Sequence, residues 1–327
     1  MRRDLGVTAI ERSGDSSGAV EGQEAAAQDR PLSAAPIAVM LGLCAIWGGN
    51  IAVIKISNEG IPPLFALSFR GVFASVCLGA YLLALGRPLF HRDRRLVHGI
   101  NLAVLFGVDF LFTYWGTAYT DASRAVIFLY TQPLWTAIGA HLLLKDDRLT
   151  GAKAFGLLVA FSGMAWVFLA RPSGDSGGYW VGDLMEIGAA LAWSATTLYL
   201  KMALRDRSLS EVSTLFYQTL FSLPLLFTMA VIVERGAVFT LSPGVAAAFA
   251  FQTVVPTASY LVWFGMIHRY PVSQLAAFTL LAPPFGVLAG AVLVEESVGW
   301  SLVGGLGLVS LGIFLVTRPI EYRKTRS

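Results

Sequence analysis

Arg70, Asp109, Asp183 and Glu186 are charged side chains set within long apolar runs of this 327-residue sequence. Charge is costly in hydrocarbon, so such residues mark a route for ions or substrates by default. Arg70 sits roughly 10 Å below the outer end of the second run, and Asp109 roughly 14 Å below that of the third. The two can meet as an ion pair. A substrate carboxylate can then compete for Arg70, or Asp109 can take up a proton when its partner leaves; a permanent clamp between neighbouring helices is the structural alternative. Glu186 and Asp183 lie closer to the start of the sixth run and are expected to be solvated in an outer mouth. Lys55 and Lys201 stand at corresponding helix ends, where they can snorkel to the interface or cap carbonyls.

A second set could surround a small molecule. Trp47 and Trp193 are near mid-span, whereas belt aromatics gather at the water interface. With Tyr114, Tyr130, Tyr260 and Trp263 they offer apolar walls, and Asn50, Gln132, Thr197, Gln252 and Thr279 offer a few polar points, the mixture typical of small-molecule sites. For any one of these aromatics, ordinary packing is the competing role. Pro133, Pro224, Pro256 and Pro283-Pro284 each remove a backbone hydrogen bond within a run and bend it. Gly286 and Gly290 form a G-x-x-x-G step that suits close helix packing within one chain or between two.

The elements that position these residues follow from composition. Hydrophobic residues make up 55% of the chain and charged ones 14%, with a mean hydropathy of +0.65, against roughly 25% charged in soluble domains. Ten apolar runs occupy about 35–55, 62–85, 97–118, 122–144, 150–170, 181–203, 211–233, 245–268, 271–293 and 298–317. Each is near the ~20 residues that cross a bilayer as a helix, and unpaired backbone in lipid excludes single strands. The fold class is an all-α membrane bundle of ten helices. Residues 1–33 lack an apolar period and read as a disordered cytoplasmic tail that keeps no signal-peptide core; 319–327 form a short basic tail. A net charge of +3 with scattered Lys and Arg excludes a nucleic-acid surface. The two cysteines, Cys44 and Cys77, lie in apolar runs and read as packing residues.

Of the 24 Lys and Arg residues, only Lys55, Arg124, Arg171 and Arg235 fall in the outer connections and Arg70 within a span, provided that both termini are cytoplasmic. The sequence also repeats itself. Gly42 with Gly188, Trp47 with Trp193 and Lys55 with Lys201 are each 146 positions apart; Gly116 with Gly265, Asp146 with Glu295, Gly156 with Gly305 and Gly163 with Gly312 are each 149 apart. Two five-helix repeats, 34–172 and 173–318, follow. An odd number of helices inserts the second copy upside down, and inverted repeats recur in secondary transporters, with the substrate site between them.

These residues resemble a known family. Trp47-Gly48-Gly49 with Lys55 at the helix end is similar to the opening of the EamA family, within the ten-helix drug/metabolite transporter superfamily. Pro62-Pro63 followed by Ala66 and Arg70 resembles its second helix. Pro133 and Pro283, each followed about a dozen residues later by an acid, resemble its repeated proline helix. Asp146-Asp147-Arg148 departs from the family's Glu-Arg, and Glu295-Glu296 lacks the following Arg. The resemblance implies a bacterial inner-membrane carrier without cofactors, exporting amino acids, other metabolites or drugs.

Enzymatic readings lack their motifs: no phosphate-binding loop, H-E-x-x-H or G-x-S-x-G occurs. The expected function is therefore alternating-access export of a small metabolite, amino acids first, with protons as the candidate coupling ion. An importer of a carbohydrate or nucleotide sugar and a passive channel are the alternatives. No oligomeric state follows from the sequence.

Overall fold

A computed structural model describes residues 34–90, 94–143, 150–170, 178–203, 210–269, 279 and 281–317. The tails over 1–33 and 319–327, and the loop residues Asp146, Asp147 and Arg148, lie outside the described residues, as does the side chain of Lys201.

Eleven helices and no strand occur among the described residues: α1 (Ala34–Asn58), α2 (Pro63–Ala84), α3 (Arg94–Gly116), α4 (Ala122–Leu129), α5 (Gln132–Leu143), α6 (Gly151–Leu169), α7 (Tyr179–Ala203), α8 (Glu211–Val233), α9 (Pro243–Arg269), α10 (Ala282–Leu293) and α11 (Trp300–Thr317). Among the described residues, seven spans are long and apolar enough to cross a membrane: α1, α2, α3, α4 with α5, α6, α8 and α9. The acidic α7 falls outside that set, and α10 and α11 are shorter apolar helices.

The fourth run is a broken helix, not a bent one. Pro133 cannot donate a backbone hydrogen bond, and the chain turns at Tyr130 and Thr131 before α5 starts. The Thr131 hydroxyl donates to the Phe128 carbonyl at 2.5 Å and accepts from Trp135 Nε1 at 3.1 Å, so the polar groups at the break stay satisfied, as an apolar surrounding demands. In the second half, Pro283 likewise stands in the first turn of α10. At Pro224 and Pro256 the helices α8 and α9 run on through the proline.

The main helix pairs join an element before residue 170 to one after 178. α6 lies along α11, α3 against α7 and α8, α2 against α8, and α1 between α9 and α10. Glycines make the closest of these contacts possible. A Cβ on Gly163 would press on the Gly305 carbonyl and the Val309 amide, and one on Gly312 on the Gly156 carbonyl and Ala160. Gly163 therefore meets Gly305 while Gly156 meets Gly312, which makes α6 and α11 antiparallel. The G-x-x-x-G step packs inside the chain: Gly286 admits Val126 of α4, and Gly290 admits Ser123 and the Glu296 carboxylate.

One stability prediction arises from this packing. A Cβ on Gly48 would overlap the Ala282 carbonyl and the Gly286 amide, both rigid backbone, whereas nothing lies within 4 Å of one on Gly42. Gly48→Ala should cost about 1–3 kcal/mol through overpacking and Gly42→Ala should be neutral or mildly stabilising, read as thermal unfolding in detergent. Equal midpoints for the two variants would contradict this helix approach.

Candidate functional site

The charged residues within the helices share one depth. Arg70 is seven residues from the start of α2, Asp109 seven before the end of α3 and Glu186 seven into α7, or about 10 Å along each helix. Those three helix ends lie together. Lys55 Nζ near the end of α1 donates to the Thr120 carbonyl at 3.0 Å, while the Thr120 hydroxyl donates to Asp183 Oδ1 in the first turns of α7 at 2.6 Å. Glu234, at the end of α8, accepts from the Leu64 and Phe65 amides at the start of α2 at 2.9 and 3.1 Å.

Arg70 is buried, 7% exposed. Its Nη1 donates to the Tyr114 hydroxyl at 3.1 Å, and its guanidinium lies 4.8 Å from the Phe110 ring centre and 5.8 Å from that of Tyr114. The Tyr114 hydroxyl donates to Gln252 Oε1 at 2.6 Å, and Gln252 Nε2 donates to Ser57 Oγ at 2.7 Å. This hydrogen-bonded chain runs from α2 through α3 and α9 to α1, crossing between the two halves twice.

The expected ion pair between Arg70 and Asp109 is not among those of the described residues. Helical spacing explains the difference. Phe110 and Tyr114, four residues apart, share the face of α3 that meets Arg70, whereas Asp109 and Thr113 share the adjacent face and hydrogen-bond to each other. Arg70 still lies close enough for its charge to act on Asp109.

The aromatic set joins this centre through Tyr260, on which Arg70, Asp109 and Tyr114 all act electrostatically. The Tyr260 ring stacks 6.0 Å from Trp47, whose other face meets Trp263 edge-on at 5.4 Å, and Trp47 Nε1 donates to Ser259 at 2.8 Å. Tyr130, at the break between α4 and α5, neighbours Tyr260 and meets Trp193 edge-on at 5.8 Å. Asn50 is buried with its Oδ1 unpartnered among protein atoms. Gln132 stands apart, donating to Thr136 at 2.8 Å and to Thr197 at 3.2 Å as a bridge between α5 and α7. Thr279 is half-buried, and residues 271–278 before it lie outside the described residues.

A cavity of about 30 Å³ borders Arg70, Phe110 and Tyr260, with Thr219, Ser222 and Thr257 on its far wall. That holds one or two waters, far below the ~300 Å³ of a ligand pocket. The space beside Arg70 is thus too small to hold a metabolite in this conformation. Thr219 and Ser222 escaped the sequence reading; their three-residue spacing on α8 was the available signal.

Two expectations are corrected at the helix ends near Lys55. Asp183 and Glu186 are both fully buried rather than solvated. Arg124 Nη2 pairs with Asp183 Oδ2, its Nε donates to Oδ1 at 3.2 Å and its Nη1 to the Ala170 carbonyl at 2.8 Å. Lys55 does cap a carbonyl, and it also forms ion pairs with Asp121 at 3.3 Å and Glu296 at 3.1 Å. Asp121 occupies the N-cap of α4 without a capping side-chain bond; Glu296, from the connection before α11, caps instead. Its carboxylate accepts from the Ala122 and Ser123 amides at 2.6 and 2.9 Å and from the Ser123 hydroxyl at 2.6 Å, where a helix start favours negative charge. The helix ends around Lys55 are thus clasped across the two halves.

Burial alone would raise the Glu296 pKa, but the Ser123 hydroxyl, the Lys55 ammonium and the two amides outweigh it and hold the carboxyl below its ordinary range. With the folded value below the unfolded one, the clasp stabilises the protein above the ordinary carboxylate range and loses that contribution as pH falls through the depressed value. Glu296→Gln should therefore cost about 1–3 kcal/mol near neutral pH and flatten the acid limb of a thermal-unfolding profile. An unchanged profile would contradict the clasp.

The model of the EamA-like transporter family matches residues 35–169 and again 180–318. Among curated relatives, a probable amino-acid metabolite efflux pump of Salmonella typhimurium is 24% identical over 289 residues, covering 86% of this chain and 94% of its own length. The probable amino-acid metabolite efflux pump of Escherichia coli is 22% identical over 288 residues, covering 85% and 93%, and the uncharacterized transporter YoaV of Bacillus subtilis is 21% identical over 294, covering 88% and 99%. A solved crystal structure superposes with a TM-score of 0.59 at 20% identity, covering 86% of this chain and 96% of that one, a likeness of fold.

Proposed function

We propose that this chain, which belongs to the EamA-like transporter family, exports small zwitterionic metabolites, amino acids first, by alternating access. It is a multi-pass membrane transporter, and members of its family are not enzymes. The observation that carries the cargo reading is the buried Arg70, held by Tyr114 and flanked by Phe110, Tyr260 and Asp109. A guanidinium forks onto a carboxylate, a nearby acid suits an ammonium, and aromatic rings suit an apolar side chain. Two relatives named as amino-acid metabolite efflux pumps support the same cargo.

In this reading residues 34–172 and 173–318 are inverted repeats, with both termini in the cytoplasm and a proton as the coupling ion. The antiparallel pairing of α6 with α11 supports the inversion, because Gly156 corresponds to Gly305 and Gly163 to Gly312, and exchanging the halves exchanges their two contacts. The meeting of the end of α1 with the start of α7 at Thr120 supports it too. So does the double family match, whose starts are 145 and ends 149 residues apart. Export requires the Lys55, Asp121 and Glu296 clasp to open as a gate facing the periplasm, with Arg70 beneath it.

The test is counterflow in proteoliposomes. Unlabelled L-phenylalanine loaded inside should speed uptake of labelled L-phenylalanine, and cells overproducing the protein should grow better under toxic amino-acid analogues. Labelled uptake indifferent to internal loading would indicate a channel, and sensitised cells would indicate import.

A further inference from the structure

We propose that Glu186 is the proton-carrying group of the transport cycle, exchanging one proton for the ammonium group of the exported zwitterion. The proposal rests on the exporter reading. Glu186 is fully buried; its Oε1 accepts from the Thr117 hydroxyl at 3.1 Å, and its Oε2 has no hydrogen-bond partner among the described residues. The backbone of α3 is pressed against it, since a Cβ on Gly116 would stand 3.0 Å from Oε1. A bare carboxylate oxygen in such a place costs several kcal/mol, and the neutral acid is the form that these surroundings accommodate.

Among the described residues, no cation is set aside to neutralise it. From α3 it faces Asp109, another acid, and along α7 Asp183; both act on it electrostatically. From α4 the facing charge is Arg124, already bonded to Asp183 and the Ala170 carbonyl, and the other ionisable group there is Tyr130, packed on Trp193. Asp121, before α4, pairs with Lys55. His98 of α3 bonds Tyr199 near the far end of α7, and His141 lies in the last turn of α5. Glu186 and Asp109 thus bring one acid from each half to a centre whose buried cations, Arg70 and Arg124, are occupied by Tyr114 and by Asp183 with the Ala170 carbonyl.

The exchange balances. With the inner side open, Glu186 loses its proton to cytoplasmic water and the carboxylate takes the cargo ammonium while Arg70 takes the cargo carboxylate. With the outer side open, the zwitterion leaves and a proton from outer water returns to Glu186. Each turn moves one zwitterion outward and one proton inward.

Infrared difference spectroscopy of the protein in lipid reads this directly. Wild type should show the C=O stretch of a protonated carboxyl that is lost on raising pH and on adding L-phenylalanine. In Glu186→Gln that band change should vanish, a pH gradient should no longer drive accumulation, and the half-saturating L-phenylalanine concentration for counterflow should rise because the ammonium loses its carboxylate; Glu186→Asp should restore all three in part. Retention of both band change and gradient response in Glu186→Gln would overturn the proposal, as would loss of the band change in Asp109→Asn alone. Wild type that shows the pH-dependent band but no L-phenylalanine counterflow would overturn the cargo reading and leave the proton site standing.

Discussion

Arg70→Gln is expected to abolish export while the protein still reaches the membrane and elutes as a single species in detergent. Removing one partner of a buried charged hydrogen bond typically costs about 2–5 kcal/mol, or roughly thirtyfold or more in cargo affinity at about 1.4 kcal/mol per tenfold. The loss is expected to be large here because Arg70 organises the chain through Tyr114 and Gln252 to Ser57. Arg70→Lys keeps the charge but not the planar fork, and it should transport weakly, with the deficit mostly in apparent affinity. Counterflow initial rates against substrate concentration measure both. Wild-type kinetics in Arg70→Gln would remove Arg70 from the cargo site.

The second large effect is on stability. The side chains of Arg124 and Asp183 are 6% and 0% exposed, so Arg124→Met should leave an uncompensated buried carboxylate and cost about 3–5 kcal/mol. Asp183→Leu should cost a similar amount by stranding the guanidinium. Because replacing both members of a buried pair with apolar groups is often nearly neutral, the double variant should recover most of the loss. Thermal unfolding of the four proteins in detergent completes the cycle. Additive losses in the double variant would mean that the two residues act independently.

Much of this fold was legible because a bilayer constrains a sequence harshly. The described helices fall on the apolar runs, except that the fourth run is divided between α4 and α5 and α10 covers only the second half of the ninth; Pro133 and Pro283 stand at the starts of α5 and α10. The glycines found by internal repetition turned out to meet one another across α6 and α11. Residue partners were harder to read. Arg70 and Asp109 have suitable depth for an ion pair, but depth along a helix leaves rotation about its axis open, and α3 turns Tyr114 rather than Asp109 toward the guanidinium. Glu186 was assigned to water because it is close to a helix start, yet packing of α3 across α7 seals it off. Glu296 and Ser123 are 173 residues apart, and no local pattern announces a helix capped from the other half of the chain.

In the proposed carrier, cargo passes between two halves that part at the clasp formed by Lys55, Asp121 and Glu296. Cysteines placed at Lys55 and Glu296, in a background with Cys44 and Cys77 replaced, can be bridged by a short, reversible bifunctional thiol reagent. Bridged protein should lose L-phenylalanine counterflow in proportion to the fraction cross-linked and regain it on reduction. Full counterflow with the bridge complete would contradict the account.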